Sequence, residues 1–443
     1  MKKSLLIIIC LLSLVVDASA ERVRVRLFSN NSIDNIAISF DLGTYNIYAD
    51  DTILIEPEVG IGKSIELTPV GQKVHVTIDG YNYGNHNTIH FTANDTACIL
   101  CLNPRNLKHR TYEGDLHVSV NKNGKLFIIN EVEFETYIAG VVQSEIYGDS
   151  PDIFRVQAII SRTWALKNIN KHRSEGYNFC DQVHCQAYLN RCVRPDIMLG
   201  TMLSSGMTIV DNQGKLIDTP FHSNSGGQTA NSEDVWRSAV PYLRSVNDTF
   251  SYHMRQSEWV KVINKDKWLN YFASKHKVDI HNDSIRNLLL SFSQSERKVR
   301  LCGVPLTRIR TDFQLKSTFF SIIYDSVTER LTLSGHGFGH GVGLSQEGAI
   351  RMVGLGISYD SIIHHYYTSA HIQKNDIYPS SYVEHYIQQI SQIIEEDKQS
   401  NTQTKSKKDD WLGRLFRLRD REEREEVYDP TTEELENDWK YDW

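Results

Sequence analysis

Glu145 is a carboxylate placed where one helical pattern ends and another begins. Apolar residues recur at helical spacing from 134 to 142, and a break follows at 148–151. Ser150 stands where an N-cap is expected, with Pro151 at the first helical position, so a second helix should begin there. A carboxylate held in a short loop between two helices can act as general acid and base. Taken alone, it is more often a surface carboxylate at a helix end.

A cysteine and histidine cluster could bind a metal. Cys180, His184 and Cys185 share one short polar loop, and His172 lies a few residues upstream. Thiolate and imidazole suit zinc, and a ligand set rich in thiolate indicates a structural metal more than a zinc hydrolase. A disulfide between two of Cys180, Cys185 and Cys192 is the competing expectation.

Two glycine-rich segments could bring backbone close to a ligand. In the first, Ser223, Ser225, Gly226 and Gly227 combine small hydroxyl groups with glycine. Ser225 lacks the Gly-x-Ser-x-Gly elbow of a serine hydrolase, so sugar binding is expected instead of nucleophilic attack. An ordinary loop is the alternative.

In the second segment glycines alternate from 335 to 343. They could aim His340 and Gln346 into a cleft, although a tight structural turn is the plainer interpretation. The pattern does not fit a dinucleotide-binding fingerprint. Metal binding by His336 and His340 is a weaker alternative.

The elements that position these residues change type along the chain. From 22 to about 130, alternating apolar runs and an Asn-Gly turn at 121–124 predict antiparallel strands joined by hairpins. Helices, short strands and loops follow, and 259–292 looks helical. We therefore expect an α+β protein in which a β-rich N-terminal region precedes a mixed α/β catalytic core and a disordered, charged C-terminal tail.

The expected boundaries follow from composition. Residues 1–20 combine two lysines, an apolar run and small residues, which is typical of a secretory signal peptide. The β-rich region should span 21–130 and the core 131–384, with a helical insertion at about 255–298. The tail, 385–443, is dominated by charged and polar residues.

Composition excludes some classes of partner. The apolar run near the N-terminus is shorter than the roughly 20 residues that cross a bilayer, and no later run is long enough, so no transmembrane segment is expected in the mature chain. Net charge is -7 and no basic stripe is interleaved with aromatics, so nucleic acid is not an expected partner. The mature protein should lie in the periplasm or cell envelope.

These sequence motifs, taken in their order along the chain, resemble the SpoIID/LytB family of bacterial cell-wall proteins. The resemblance runs from about 131 to 371 and takes in the Glu145 segment, both glycine-rich segments, 306–310 with 316–320, and 365–367. It departs from the family pattern at Tyr147, where the family usually has proline, so the loop shape is expected to differ.

The resemblance implies a function for the site. Enzymatic members are lytic transglycosylases that act on peptidoglycan glycan strands stripped of stem peptides, and their catalytic glutamate falls on Glu145. One carboxyl then suffices, because the 6-hydroxyl of muramic acid closes a 1,6-anhydro ring. Some members bind zinc with a similar Cys and His-Cys cluster. The modifier branch implies the alternative, a catalytically silent glycan-binding module that enhances a cell-wall amidase.

Overall fold

The computed structural model describes residues 22–95 and 98–375, together with positions 387, 388, 390, 391 and 394; the side chains of 56–59 are not described. The predicted signal peptide and nearly all of the predicted tail lie outside this part of the chain. Within the described residues, no helix has the length and apolar character required to cross a membrane.

The N-terminal region consists of strands. They are β1 (Arg22–Leu27), β2 (Ile36–Leu42), β3 (Tyr45–Ala49), β4 (Thr52–Val59), β5 (Ser64–Val70), β6 (Lys73–Ile78), β7 (Tyr81–His86), β8 (Thr88–Ala93), β9 (Ile99–Pro104), β10 (Arg110–Glu113), β11 (Asp115–Val120) and β12 (Leu126–Glu133). The predicted β-rich region is confirmed, as is its hairpin: Gly124 N donates to Asn121 O at 2.9 Å between β11 and β12.

The middle of the chain is mixed. It contains α1 (Phe134–Glu145), α2 (Pro151–Lys167), β13 (Phe179–Cys180), α3 (Pro195–Leu203), β14 (Met207–Val210), β15 (Phe221–His222) and α4 (Ser232–Val235). Short 3₁₀ turns occupy Arg173–Glu175 and Thr249–Ser251. The expected change from strands to helices is therefore confirmed.

The last part continues this mixture. Its elements are β16 (Glu258–Asn264), α5 (Lys265–Asn270), a π-helical turn (Tyr271–Lys275), α6 (Asp283–Leu290), β17 (Arg300–Leu301), β18 (Val304–Pro305), α7 (Leu306–Asp312), β19 (Phe320–Asp325), β20 (Arg330–His336), β21 (Leu344–Ser345), α8 (Gln346–Gly354), α9 (Tyr359–Tyr366) and β22 (His371–Lys374).

Two large sheets and the first helices share one apolar core. The sheets have the strand orders β13-β1-β12-β11-β8-β3-β4 and β10-β9-β2-β5-β6-β7. Alternate side chains of β1, β2 and β6 are buried, as the period of a half-buried strand requires. The same core includes the buried faces of α1 and α2. The helix that ends at Glu145 is thus anchored on the β-rich region.

A second apolar cluster lies between residues 259 and 333 and includes Trp268, Phe272 and Phe313. The sheet β16-β20-β19 covers it. The expected helical insertion at 255–298 is wrong at its start, where Glu258–Asn264 is a strand. Trp259 and Ile263 lie on one face of this strand and are buried, and the whole strand pairs with β20. Pairing with a strand that is distant in the sequence therefore outweighs the local pattern that predicted a helix.

A buried ion pair joins α1 to α2. Arg162 Nε and Nη2 donate to the two carboxylate oxygens of Glu135, at 2.8 and 2.6 Å, and both side chains are almost wholly excluded from solvent. The same guanidinium donates to Thr201 O and Met207 O, at 3.3 and 3.2 Å. One side chain therefore ties together α1, α2, α3 and β14.

We expect Arg162→Met to lower the free energy of unfolding by about 3–5 kcal/mol, because it leaves the Glu135 carboxylate buried without its partner. The double variant Glu135→Leu/Arg162→Met should recover most of this loss, since neither charge then remains. Urea unfolding followed by circular dichroism measures both. A single variant as stable as the parent protein would contradict the assignment.

Candidate active site

Glu145 is the last residue of α1. The helix ends there because Ile146 is extended, with φ -137° and ψ 141°. The next helix begins as expected: Ser150 is the N-cap of α2, its side chain accepts from Asp152 N, and Pro151 is the first helical residue. The carboxylate is therefore held at the rim of a short loop and remains partly exposed.

The loop from 186 to 193 holds the end of α1. Ala187 N donates to Glu145 Oε1 at 2.7 Å. The preceding turn of the helix is tied to the same loop, since Gln143 Nε2 donates to Arg191 O at 3.0 Å and Leu189 N donates to Ser144 Oγ at 3.2 Å. These contacts fix the direction of the carboxylate relative to the backbone of the loop.

Gln346, at the start of α8, lies beside Glu145. Its Nε2 donates to Glu145 O at 2.9 Å and to Gln157 Oε1 at 3.3 Å. Two residues that the sequence singled out are thus brought together across the chain. The contact is to the main chain of Glu145, so in this structure Gln346 helps to hold the end of the helix.

A buried carboxylate that the sequence analysis did not single out lies next to this contact. Glu347 is wholly buried, and its oxygens accept from Tyr147 Oη at 2.7 Å and from Asn224 Nδ2 at 2.7 Å. Gln256 N donates to both of its oxygens, at 3.2 and 3.0 Å. Burial and then the bond to Glu347 raise the pKa of Tyr147. The phenol at the position of the family's usual proline therefore ties the loop after Glu145 to α8.

In the first glycine-rich segment, the side chain of Ser225 points into the protein interior. Ser225 is wholly buried, and its hydroxyl donates to Asp248 Oδ2 at 2.7 Å and lies 2.9 Å from Ser251 Oγ. The contacts that the structure gives this hydroxyl include no histidine, and so they do not support the serine-nucleophile alternative. They give Ser225 a structural part in this arrangement.

The neighbours of Ser225 are close to other backbone. Gly226 has φ +72°, and a Cβ there would lie 2.6 Å from the carbonyl carbon of His336, which only glycine avoids. Gly227 has φ +105°. Ser223 is partly exposed, and its carbonyl oxygen accepts from Glu347 N at 3.0 Å. The segment packs tightly against the second glycine-rich turn.

That second turn takes the backbone conformation that its glycines predict. Gly337, Gly339, Gly341 and Gly343 all have positive φ. His340 Nδ1 accepts from Val342 N at 3.1 Å, and its ring lies 5.3 Å from Trp236 and 5.4 Å from His222, measured between centroids.

Both of these imidazoles are neutral near neutral pH. Burial, followed by the nearby Arg310, lowers the pKa of His340 to about 3. Burial and the neighbouring His340 lower the pKa of His222 well below its usual value. Neither ring is then a proton donor of the imidazolium kind.

The cysteine and histidine cluster forms a compact set of donor atoms. One atom from each of His172, Cys180, His184 and Cys185 lies within 4.8 Å of all the others. The closest pairs are Cys185 Sγ to His172 Nε2 at 3.4 Å and Cys180 Sγ to His184 Nδ1 at 3.6 Å. Ligand atoms of a tetrahedral zinc site, with bonds of about 2.0–2.3 Å, lie roughly 3.3–3.8 Å apart, so the donor set fits zinc.

The surroundings of the cluster also suit a metal. His172 Nδ1 lies 2.6 Å from Glu175 Oε1, which is the carboxylate contact that orients many metal-binding imidazoles. The hydrogen bond with Cys185 holds the pKa of Cys180 below its usual value. Neither Cys180 nor Cys185 is in a disulfide, as metal ligation by both thiols requires. Cys185 is two residues from Ala187, so the cluster is coupled to the loop that holds Glu145.

Comparison with known proteins centres on this part of the chain. Residues 122–202 match the family described as "SpoIID: Stage II sporulation protein". The match includes α1, Glu145, α2 and all four residues of the donor cluster.

Curated relatives extend the similarity beyond that segment. Stage II sporulation protein D of Bacillus subtilis (strain 168) is 26% identical over 276 residues, which are 58% of this chain and 78% of that protein. Its counterpart in Bacillus amyloliquefaciens is 27% identical over 276 residues, with the same coverage. The amidase enhancer of Bacillus subtilis (strain 168) is 25% identical over 285 residues, 52% of this chain and 39% of that protein. Taken with the family match, these relatives confirm the predicted similarity of the chain to the SpoIID/LytB family.

Proposed function

We propose that this protein is an exported lytic transglycosylase that cleaves peptidoglycan glycan strands between N-acetylmuramic acid and N-acetylglucosamine, with Glu145 as general acid and base. The observation that carries the proposal is the placement of Glu145: a partly exposed carboxylate at a helix end, oriented by the amide of Ala187. Similarity to two stage II sporulation D proteins supports it.

The chemistry needs one carboxyl. The protonated Glu145 donates to the glycosidic oxygen as the bond to the anomeric carbon breaks. The 6-hydroxyl of the muramic acid then attacks that carbon, and the Glu145 carboxylate takes the hydroxyl proton. The product is a 1,6-anhydro end, and no water is consumed.

The surroundings of Glu347 favour this scheme over hydrolysis. A two-carboxylate hydrolase uses its second carboxylate on water or on the sugar carbon. Glu347 follows Gln346, which contacts Glu145, but its oxygens are buried and accept from Tyr147, Asn224 and Gln256. A carboxylate so occupied is poorly placed to activate water.

We expect Glu145→Gln to lose at least ~10²-fold in the release of anhydro-muramic ends, because an amide can neither donate nor accept the proton. The measurement is mass spectrometry of peptide-free strands after incubation with purified protein. Asp149→Asn is the matched control: this exposed carboxylate lies in the same loop, and its removal should leave the rate near that of the parent. Near-normal release by Glu145→Gln would remove Glu145 from the mechanism.

The same assay separates the alternative function. A catalytically silent module that binds glycan and enhances a cell-wall amidase is the second candidate, and the similarity to an amidase enhancer favours it. Such a module would release no anhydro ends at any concentration of this protein, yet it would raise the rate at which an added amidase cleaves peptidoglycan.

A structural zinc ion is part of the proposal. His172, Cys180, His184 and Cys185 would supply four protein ligands and leave no open position, which is typical of structural and not catalytic zinc. Zinc there would brace the 180–187 loop, and so the amide that orients Glu145.

Purified protein should contain about one zinc ion per chain, and Cys185→Ser should lower both the zinc content and the melting temperature. Cys302→Ser is the control, since this partly buried cysteine lies outside the cluster and should leave both unchanged. Elemental analysis and thermal unfolding measure these outcomes without reference to activity. A zinc-free chain with a disulfide at Cys180 or Cys185 would contradict the site.

Export completes the proposal, with a signal peptide at residues 1–20 and a mature protein in the periplasm or envelope. Mass spectrometry of protein recovered from that compartment should find Glu21 at the N-terminus. Recovery of a full-length chain from the cytosol alone would contradict it.

A further inference from the structure

Arg297 is a cation surrounded by uncharged acceptors. Its Nε donates to Gln228 O at 2.6 Å, its Nη2 to Ser225 O at 2.6 Å and its Nη1 to Thr318 Oγ1 at 3.2 Å. The guanidinium also lies 5.1 Å from the centre of the Phe319 ring. Among the described residues, each of these hydrogen bonds ends on a neutral oxygen, so the positive charge is not matched by a carboxylate contact.

The charge persists although it is desolvated. Burial lowers the pKa of Arg297 to about 10, which still leaves the group protonated near neutral pH. The three bonds use three of the five N–H groups of a guanidinium, and one donor on each terminal nitrogen remains beyond them. If Arg297 only tied loops together, a neutral donor would do so without the cost of burying a charge.

A cleft opens beside this group. Its lining residues include Ala230, Val235, Arg297, Lys298 and Thr318. The room inside it is about 20 Å³, enough for a group about the size of a water molecule. The cleft can therefore admit the oxygen of a small charged substituent and not a sugar ring.

The cleft adjoins the glycine-rich turn. A Cβ at Gly341 would lie 3.1 Å from the guanidinium carbon of Arg297, so glycine permits the close approach. Trp236 follows Val235 in the chain and contacts the His340 ring. His222 and His340 are both subject to the positive field of Arg297 and Arg310. An anion would meet favourable charge here, beside an aromatic surface that a sugar ring could cover.

One acidic residue also lines the cleft. Asp234 accepts from Asn231 Nδ2 at 2.9 Å and would oppose a bound anion. Its presence supplies a reciprocal test, because its removal should strengthen anion binding.

We propose that Arg297 and this cleft bind a carboxylate carried by a sugar, namely the lactyl carboxylate of N-acetylmuramic acid. The inference rests on the proposed function for the identity of the ligand. It assigns to Arg297 a part in substrate selection: a strand whose carboxylates are free offers the guanidinium an anionic partner, whereas a strand whose carboxylates are joined to peptide does not.

The test compares two ligands on one protein. In Glu145→Gln protein, which should bind without cleaving, calorimetry measures the affinity for a peptide-free tetrasaccharide of alternating N-acetylglucosamine and N-acetylmuramic acid. The second ligand is the same tetrasaccharide with its carboxyl groups converted to amides. We expect the free acid to bind about tenfold more tightly, since an ion pair between guanidinium and carboxylate is replaced by a hydrogen bond to an uncharged amide.

Variants locate the preference. Arg297→Gln should abolish the preference for the free acid, and Asp234→Asn should enlarge it. Arg300→Gln is the matched control, because this exposed arginine donates to Gly303 O and its removal should leave the preference intact. If Arg297→Gln does not fold, the two-ligand comparison and Asp234→Asn decide.

Equal affinity for the two ligands would overturn the inference, as would a preference that survives in folded Arg297→Gln. Binding of neither ligand would overturn it together with the proposed function. If the protein prefers the free acid but its parent form releases no anhydro ends, the proposed transglycosylase activity is wrong and the proposed carboxylate site is supported.

Discussion

The contact between Arg162 and Glu135 fixes the frame on which the candidate site is built. Both charges are buried, and the guanidinium also donates to backbone oxygens of α3 and β14. An ion pair of this kind contributes little net stability against a well-packed apolar pair, but it is intolerant of misplacement, because a displaced partner leaves a buried charge unpaired. It therefore sets the angle between α1 and α2, and with it the loop that begins at Glu145.

Three separate segments then converge on the end of α1. The 186–193 loop holds the carboxylate through Ala187, Gln346 holds the main chain of Glu145, and Glu347 holds Tyr147 two residues later. The last two contacts join residues about 200 positions apart. Closing such loops costs entropy that only the completed core offsets, so the geometry of Glu145 belongs to the whole fold and not to its helix.

The division of chemistry follows from burial. The imidazoles of His222 and His340 are desolvated among cations and stay neutral. Glu347 and Asp248 are committed to internal hydrogen bonds. Glu145 differs from both in being partly exposed and directed by a loop amide. This contrast is the physical basis on which the proposed function assigns proton transfer to one carboxylate, and the zinc ion proposed at the cysteine and histidine cluster would brace that loop.

The sequence by itself determined the local features, because each depends on neighbours within a few residues. Ser150 and Pro151 begin α2 since a cap and a fixed φ act locally, and Gly124 closes its hairpin. The four donors of the cysteine and histidine cluster are close in the sequence and so can meet in space. Tertiary structure decided what depends on distant partners. The fold buries Ser225 beside Asp248 and surrounds Arg297 with neutral oxygens. It also places several hydrogen-bond donors around Glu347 and pairs the strand at 258–264 with β20. Burial and countercharge are properties of the assembled neighbourhood, and no short segment of the chain encodes them.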